Sequence, residues 1–124
     1  MAKRQSQTHH DWMVQYTANF LVNKSYRNIK ADLPGFDTPV KITWKSTGNG
    51  HIPDVTADGQ QFNLFEVETA DSIDDQHTAD QWTLFARYAK EHQAVFWVVI
   101  PSGYASSANR RLSELGIKAS VWEV

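Results

Sequence analysis

The sequence predicts an α/β domain, a mixed central sheet flanked by helices, in the order α-β-β-β-α-β-α-β. Three observations predict it. Apolar residues recur at spacings of three and four near the start of the chain and again after its middle, the helical period. Between them, two strand-like segments surround Ala57-Asp58-Gly59-Gln60, a hairpin signal. Beyond the second helical pattern, Ala94 to Ile100 is continuously apolar, as a strand covered on both faces must be. An antiparallel meander followed by crossover connections makes the sheet mixed.

The first helix is expected from Asp11 to Ala31, with Asp11 as N-cap and Leu33-Pro34-Gly35 as its stop. Residues 1–8 are expected to be a flexible tail. Trp12, Met13, Tyr16, Phe20 and Leu21 make an apolar stripe. Lys24, Arg27 and Lys30 fall in the last turns of that helix. There they suit the negative end of the helix dipole, or they contact phosphate. Pro39 to Lys45 alternates as a strand, with Val40, Ile42 and Trp44 on one face and Lys41, Thr43 and Lys45 on the other. Ser46 to Gly50 is a loop by composition, and Gly48-Asn49-Gly50 lacks the Lys-Ser/Thr ending of a phosphate-binding loop. Strands follow at Ile52–Thr56 and Gln61–Glu68. A helix is expected from Thr78 to His92, with Ala79, Trp82, Phe85, Ala86 and Ala89 inward. Ala105 to Leu115 reads as a short helix with Gly116 past its end, and Ile117 to Val124 as a last strand.

The 124 residues suit one domain, 1–124, and fifteen aromatics supply bulk for one core. With no cysteine, disulfides, thiol nucleophiles and thiolate zinc sites are excluded. No apolar leader or membrane-length run occurs, so a soluble, cytoplasmic protein is expected. The net charge of −2 hides an asymmetry: residues 46–86 hold eight acids and no Lys or Arg, while the flanks hold all 12 cations and six acids. The location of charge matters more than its total. The acids are either solvated loops or a metal-binding centre framed by basic surface.

The chemistry concentrates at Pro53-Asp54 and, after eleven intervening residues, Glu66-Val67-Glu68. Alternation on a strand projects Glu66 and Glu68 to one face together with Phe62 and Leu64, and Phe65 and Val67 to the other. Both faces are partly apolar, so the strand is interior. Two carboxylates there raise each other's pKa unless a cation neutralises them. A hard divalent ion with oxygen ligands does so, and Asp54 on the neighbouring strand can join. An exposed strand end would instead leave both acids in water.

At these residues the sequence resembles the PD-(D/E)XK nuclease superfamily, the restriction-endonuclease-like fold. The resemblance covers nearly the whole chain as an order of elements. It implies Mg²⁺-dependent hydrolysis of phosphodiester bonds in nucleic acid, usually DNA, with Mn²⁺ as a substitute. It also implies Asp54 and Glu66 as metal ligands, with the carbonyl of Val67 as another. The motif lysine is replaced by Glu68, a carboxylate suited to take a proton from water or to hold a second metal. Gln81 corresponds to a glutamine that helps position the site in several branches, unless it is simply a solvated helix residue. Lys24, Arg27, Lys30, Lys41 and Lys45 are the expected phosphate contacts, and a homodimer is a natural form for cutting two strands. Two other functions remain open: a non-catalytic nucleic-acid-binding module, and a subunit whose acidic loop docks on a basic protein. His77 and His51 are further candidates for a phosphate or water contact. His9-His10 is discounted as part of the tail.

The connection between the two middle strands decides the motif. A two-residue turn at Asp58-Gly59 would set Asp54 opposite Asn63, on the wrong face. A three- or five-residue connection, pairing Asp54 with Leu64, or a bulge is required to bring Asp54 to the Glu66 side.

Overall fold

The computed structural model describes residues 5–124. Its elements are α1 (Gln5–Asn23), β1 (Arg27–Ala31), β2 (Ile42–Thr43), β3 (Gly50–His51), β4 (Val55–Asp58), β5 (Phe62–Val67), α2 (Gln76–His92), β6 (Val95–Ile100), α3 (Ala105–Leu115) and β7 (Ser120–Glu123). The central sheet runs in the order β1-β4-β5-β6-β7. The first two pairings are antiparallel and the last two parallel, as the mixed pattern predicts. One face carries α1, the other α2 and α3.

The core divides by strand parity. Val55, Ala57, Phe65, Val67 and Val99 pack with Met13, Val14, Ala18 and Leu21 of α1. Leu64, Phe96, Val98 and Ile100 pack with Trp82, Phe85, Ala108 and Leu112 of α2 and α3. The apolar run at β6 thus serves both layers, which is why it shows no alternation.

The N-terminal third differs from expectation. α1 begins at Gln5, so residues 5–8 of the expected tail are helical; residues 1–4 lie outside the described residues. It ends at Asn23, where Ser25 takes φ 62° and the Tyr26 N–H bonds back to the Leu21 carbonyl. Residues 27–31 are an edge strand, not helix. That strand is irregular: Asn28 has φ 51°, and the register with β4 shifts between Arg27 and Lys30. An extra residue breaks the period of two, so Lys24, Arg27 and Lys30, three apart, imitate a helix face. Lys24 lies in the turn and Arg27 and Lys30 on β1. They share no helix face, and Arg27 and Lys30 cannot cap a helix.

The expected strand Pro39–Lys45 shortens to Ile42–Thr43, paired with Gly50–His51 in a separate two-stranded ribbon. Gly50 is required there: a Cβ would lie 2.0 Å from the Ile42 carbonyl oxygen. The meander of the central sheet is therefore β1-β4-β5, and the ribbon packs Ile42 against the α2 side of the core.

The stripe assigned to α1 also divides. Met13 and Leu21 are buried, whereas Trp12, Tyr16 and Phe20 face outward. Leu64, wholly buried in β5, is expected to cost about 2–5 kcal/mol on truncation to alanine, measured by urea unfolding. Trp12→Ala is expected to cost about 1 kcal/mol or less, since little of that ring is packed. Comparable losses for the two would contradict this division of the helix.

Candidate functional site

The hairpin between β4 and β5 sets the site. Asp58 pairs with Phe62 and Val55 with Phe65, leaving Gly59, Gln60 and Gln61 as a three-residue connection. Continued by one residue, this register sets Asp54 opposite Glu66, on the same face. The parity is the expected one, but the partner differs: Leu64, the residue expected opposite Asp54, lies two residues away. Pro53 and Asp54 leave the ladder here, and two hydrogen bonds hold the corner. The Asp54 N–H donates to Glu66 Oε1 at 3.1 Å, and the Val67 N–H donates to Asp54 Oδ2 at 2.8 Å.

Glu68 follows β5 immediately, its N–H bonded to the Val99 carbonyl at 2.9 Å. The acids therefore gather where β4 begins and where β5 and β6 end. The carboxyl ends of parallel strands are the usual crevice of α/β sheets.

Both glutamates are buried, at 3% and 5% exposure. Burial is the largest cause holding Glu66 well above the ordinary carboxylate range, with the charges of Asp54 and Glu68 adding to it. The Asp54 carboxyl adjoining Glu66 raises it further, while the Asp54 N–H that donates to Glu66 pulls it down. Burial pushes Glu68 up to about 7, against the pull of its donors. Oε1 of Glu68 accepts from Ser72 Oγ at 2.8 Å and Thr78 Oγ1 at 3.3 Å; Oε2 accepts from Trp82 Nε1 at 3.1 Å. Ser72 is brought back by the turn Thr69–Ser72. Thr78 and Trp82 lie four apart on α2, hence on one face.

His10 completes the cluster. Its Nε2 lies 3.4 Å from Asp54 Oδ2, and that carboxylate is the largest cause raising the imidazole to about 9, against the effect of burial. Asp11 lies 3.6 Å from its other nitrogen. His10 belongs to the segment that the sequence presents as tail. Nothing in its neighbours announces the contact, which arises because α1 extends further toward the N-terminus than Asp11. Trp82 was read only as core; its spacing of four from Thr78 was the available signal.

The other expected residues lie elsewhere. Gln81 is half-buried on α2, and no hydrogen bond joins it to the carboxylates among the described residues. Lys24 Nζ lies 5.6 Å from the Phe20 ring centroid, and Arg27 donates to the Gly59 carbonyl at 3.2 Å. Lys41 and Lys45 line a separate groove with Trp44, Phe62 and Arg87, against the C-terminal half of α2. His51 and His77 form an edge-on ring pair 5.3 Å apart, and burial followed by the His77 charge lowers the His51 pKa. In the acidic loop, Asp74 is bound by Arg110 at 2.9 and 3.2 Å.

Among the described residues, no group of three or more His, Cys, Asp or Glu side chains is gathered as a metal-ligand set. Two carboxyls do meet, Asp54 and Glu66, and Mg²⁺ commonly uses one or two carboxylates with water completing its shell. The donor chemistry therefore fits a hard divalent ion at that pair, and the crowding that raises Glu66 is what such a charge relieves. Glu68 is turned to α2 and stands apart from the pair. No helix is long and apolar enough to cross a membrane among the described residues. Comparison with protein-family models, curated proteins and solved structures finds no match.

The two shifts give stability a direction with pH. His10 is raised from 6.5 to about 9, so its contribution is complete below 6.5 and disappears as pH rises through about 9. Glu68 is raised from 4.5 to about 7, so its contribution likewise fades as pH rises through 7. In EDTA, the thermal midpoint is expected to fall across both windows, and His10→Asn to flatten only the upper one. A parent profile that stays level up to pH 9 would contradict the Asp54 contact.

Proposed function

We propose that this protein is a metal-dependent phosphodiesterase acting on nucleic acid, DNA first, on a restriction-endonuclease-like fold related to the PD-(D/E)XK nucleases. A cytoplasmic setting suits the cysteine-free chain. One observation carries the reading: the register of β4 and β5 brings Asp54 to Glu66 at the sheet end and buries there a carboxyl that a divalent cation would neutralise.

Asp54 and Glu66 would hold Mg²⁺, or Mn²⁺, with the Val67 main chain beside them. Bound there, the ion supplies Lewis-acid activation of the phosphodiester and of water. Glu68 accepts the proton of the attacking water. Its pKa of about 7 suits a base working near neutrality. Ser72, Thr78 and Trp82 occupy three of its roughly four acceptor positions, leaving one on Oε2 for that proton. They also hold the carboxylate still. His10 orients Asp54 from the α1 side and contributes positive charge toward the phosphate.

A second reading is a nucleic-acid-binding module without catalysis. Its support is the same clasp on Glu68, which would then serve the fold alone.

A cleavage assay on linear, branched and single-stranded DNA and on RNA, with Mg²⁺ or Mn²⁺, separates the two. Cleavage is expected, and Asp54→Asn and Glu66→Gln are each expected to lower it by about 10²–10³-fold while the protein stays folded. Parent-like cleavage by either variant would remove the metal assignment. Binding without cleavage of any substrate would favour the second reading.

A further inference from the structure

α1 turns one face to the sheet and leaves another in solvent. Met13, Val14, Thr17, Ala18 and Leu21 are buried. Trp12, Tyr16 and Phe20, four apart and so in one row, are 55%, 43% and 37% exposed. The rings are ordered against one another. Trp12 and Tyr16 stack with centroids 5.5 Å apart, and Trp122 of β7 backs the row at 6.3 Å from Tyr16 and 4.8 Å from Phe20. His9 extends it, 6.3 Å from Trp12. An exposed row of large rings is uncommon on a free surface and marks a place where something docks. The row begins beside His10, the residue that reaches Asp54.

Charge selects the occupant. Asp11 is the one acid of α1, and the cation set against the row is Lys24. Lys24 stands at the far end of the row, over Phe20. A ligand with negative charge and flat apolar faces suits both features, and nucleobases on a phosphate backbone have both. In a duplex those faces are stacked on one another, so only an unpaired strand presents them. From Trp12 to Phe20 the helix rises about 12 Å, room for two or three bases.

We propose that Trp12, Tyr16 and Phe20 form a base-stacking platform for single-stranded nucleic acid. That this strand is the substrate of the carboxylate centre rests on the phosphodiesterase reading above. The platform would hold bases on α1 while the backbone runs past His10 toward Asp54 and Glu66. Selectivity would then come from strand form rather than sequence, because every base has a flat face to stack.

The test is binding in EDTA, where no metal-dependent cleavage occurs. The probes are a fluorescent single strand of about 16 nucleotides and the matching duplex, followed by anisotropy. The parent is expected to bind the single strand more tightly. Trp12→Ala and Tyr16→Ala are each expected to weaken it by about five- to a hundredfold, with Trp12→Phe retaining most of the affinity. Circular dichroism and thermal unfolding check that the variants stay folded. Equal affinity for the two probes, or alanine variants that bind as the parent does, would overturn the platform. So would a parent dimer in sedimentation that Trp12→Ala dissociates, since a second copy would then cover the row. Single-strand binding through these rings with no cleavage of any nucleic acid would uphold the platform and remove the phosphodiesterase reading alone.

Discussion

Asp54, Glu66 and Glu68 lie at one end of the sheet, the first two together and Glu68 turned toward α2, and the two glutamates are almost wholly buried. Burying acids beside one another is costly unless hydrogen bonds, a counter-charge or a proton compensates. The surrounding structure supplies each. Main-chain N–H groups of Asp54 and Val67 tie the first two acids to the strand corner. Ser72, Thr78 and Trp82 enclose the third. His10 brings the counter-charge from another layer, and the raised pKa of Glu66 records what remains uncompensated. The start of α2, the turn before it and the first turns of α1 are all placed by this one requirement.

This arrangement separates positioning from reactivity. The sheet fixes where Asp54 and Glu66 lie, through a hairpin whose register cannot slip by one residue without exchanging the two core faces. The layers on either side then set the electrostatics. α2 donates hydrogen bonds to Glu68, and α1 offers a cation to Asp54. A site built on strand ends and held by two helices is stiff, and stiffness suits a centre that must hold charge at defined distances. The aromatic row lies outside that stiff core, on the solvent face of the helix that carries His10. One helix thereby joins the charge balance of the centre to the surface that would present a strand to it.

Much of the architecture was legible in the sequence because it follows from local pattern. Periodicity identified α2, Gly116 marked the end of α3, continuous apolarity identified β6, and alternation identified β5 with Glu66 on the α2 side of the sheet. The N-terminal third was not legible in this way. Lys24, Arg27 and Lys30 fall three apart across a turn and an irregular edge strand, and the outward rings of α1 alternate with inward ones closely enough to read as one stripe.

Residues within a single strand thus determined which acids could act together, since side-chain direction on a strand is a matter of parity. Only the tertiary structure decided that Asp54 joins them, because hairpin register depends on how a connection of a few residues closes. Tertiary packing alone brought His10, sequence-distant by 44 residues from Asp54, into contact with it. It likewise turned Glu68 toward Trp82 and left Trp12, Tyr16 and Phe20 in solvent. Those outcomes depend on which faces of separate elements meet, and no local pattern in a chain encodes the meeting.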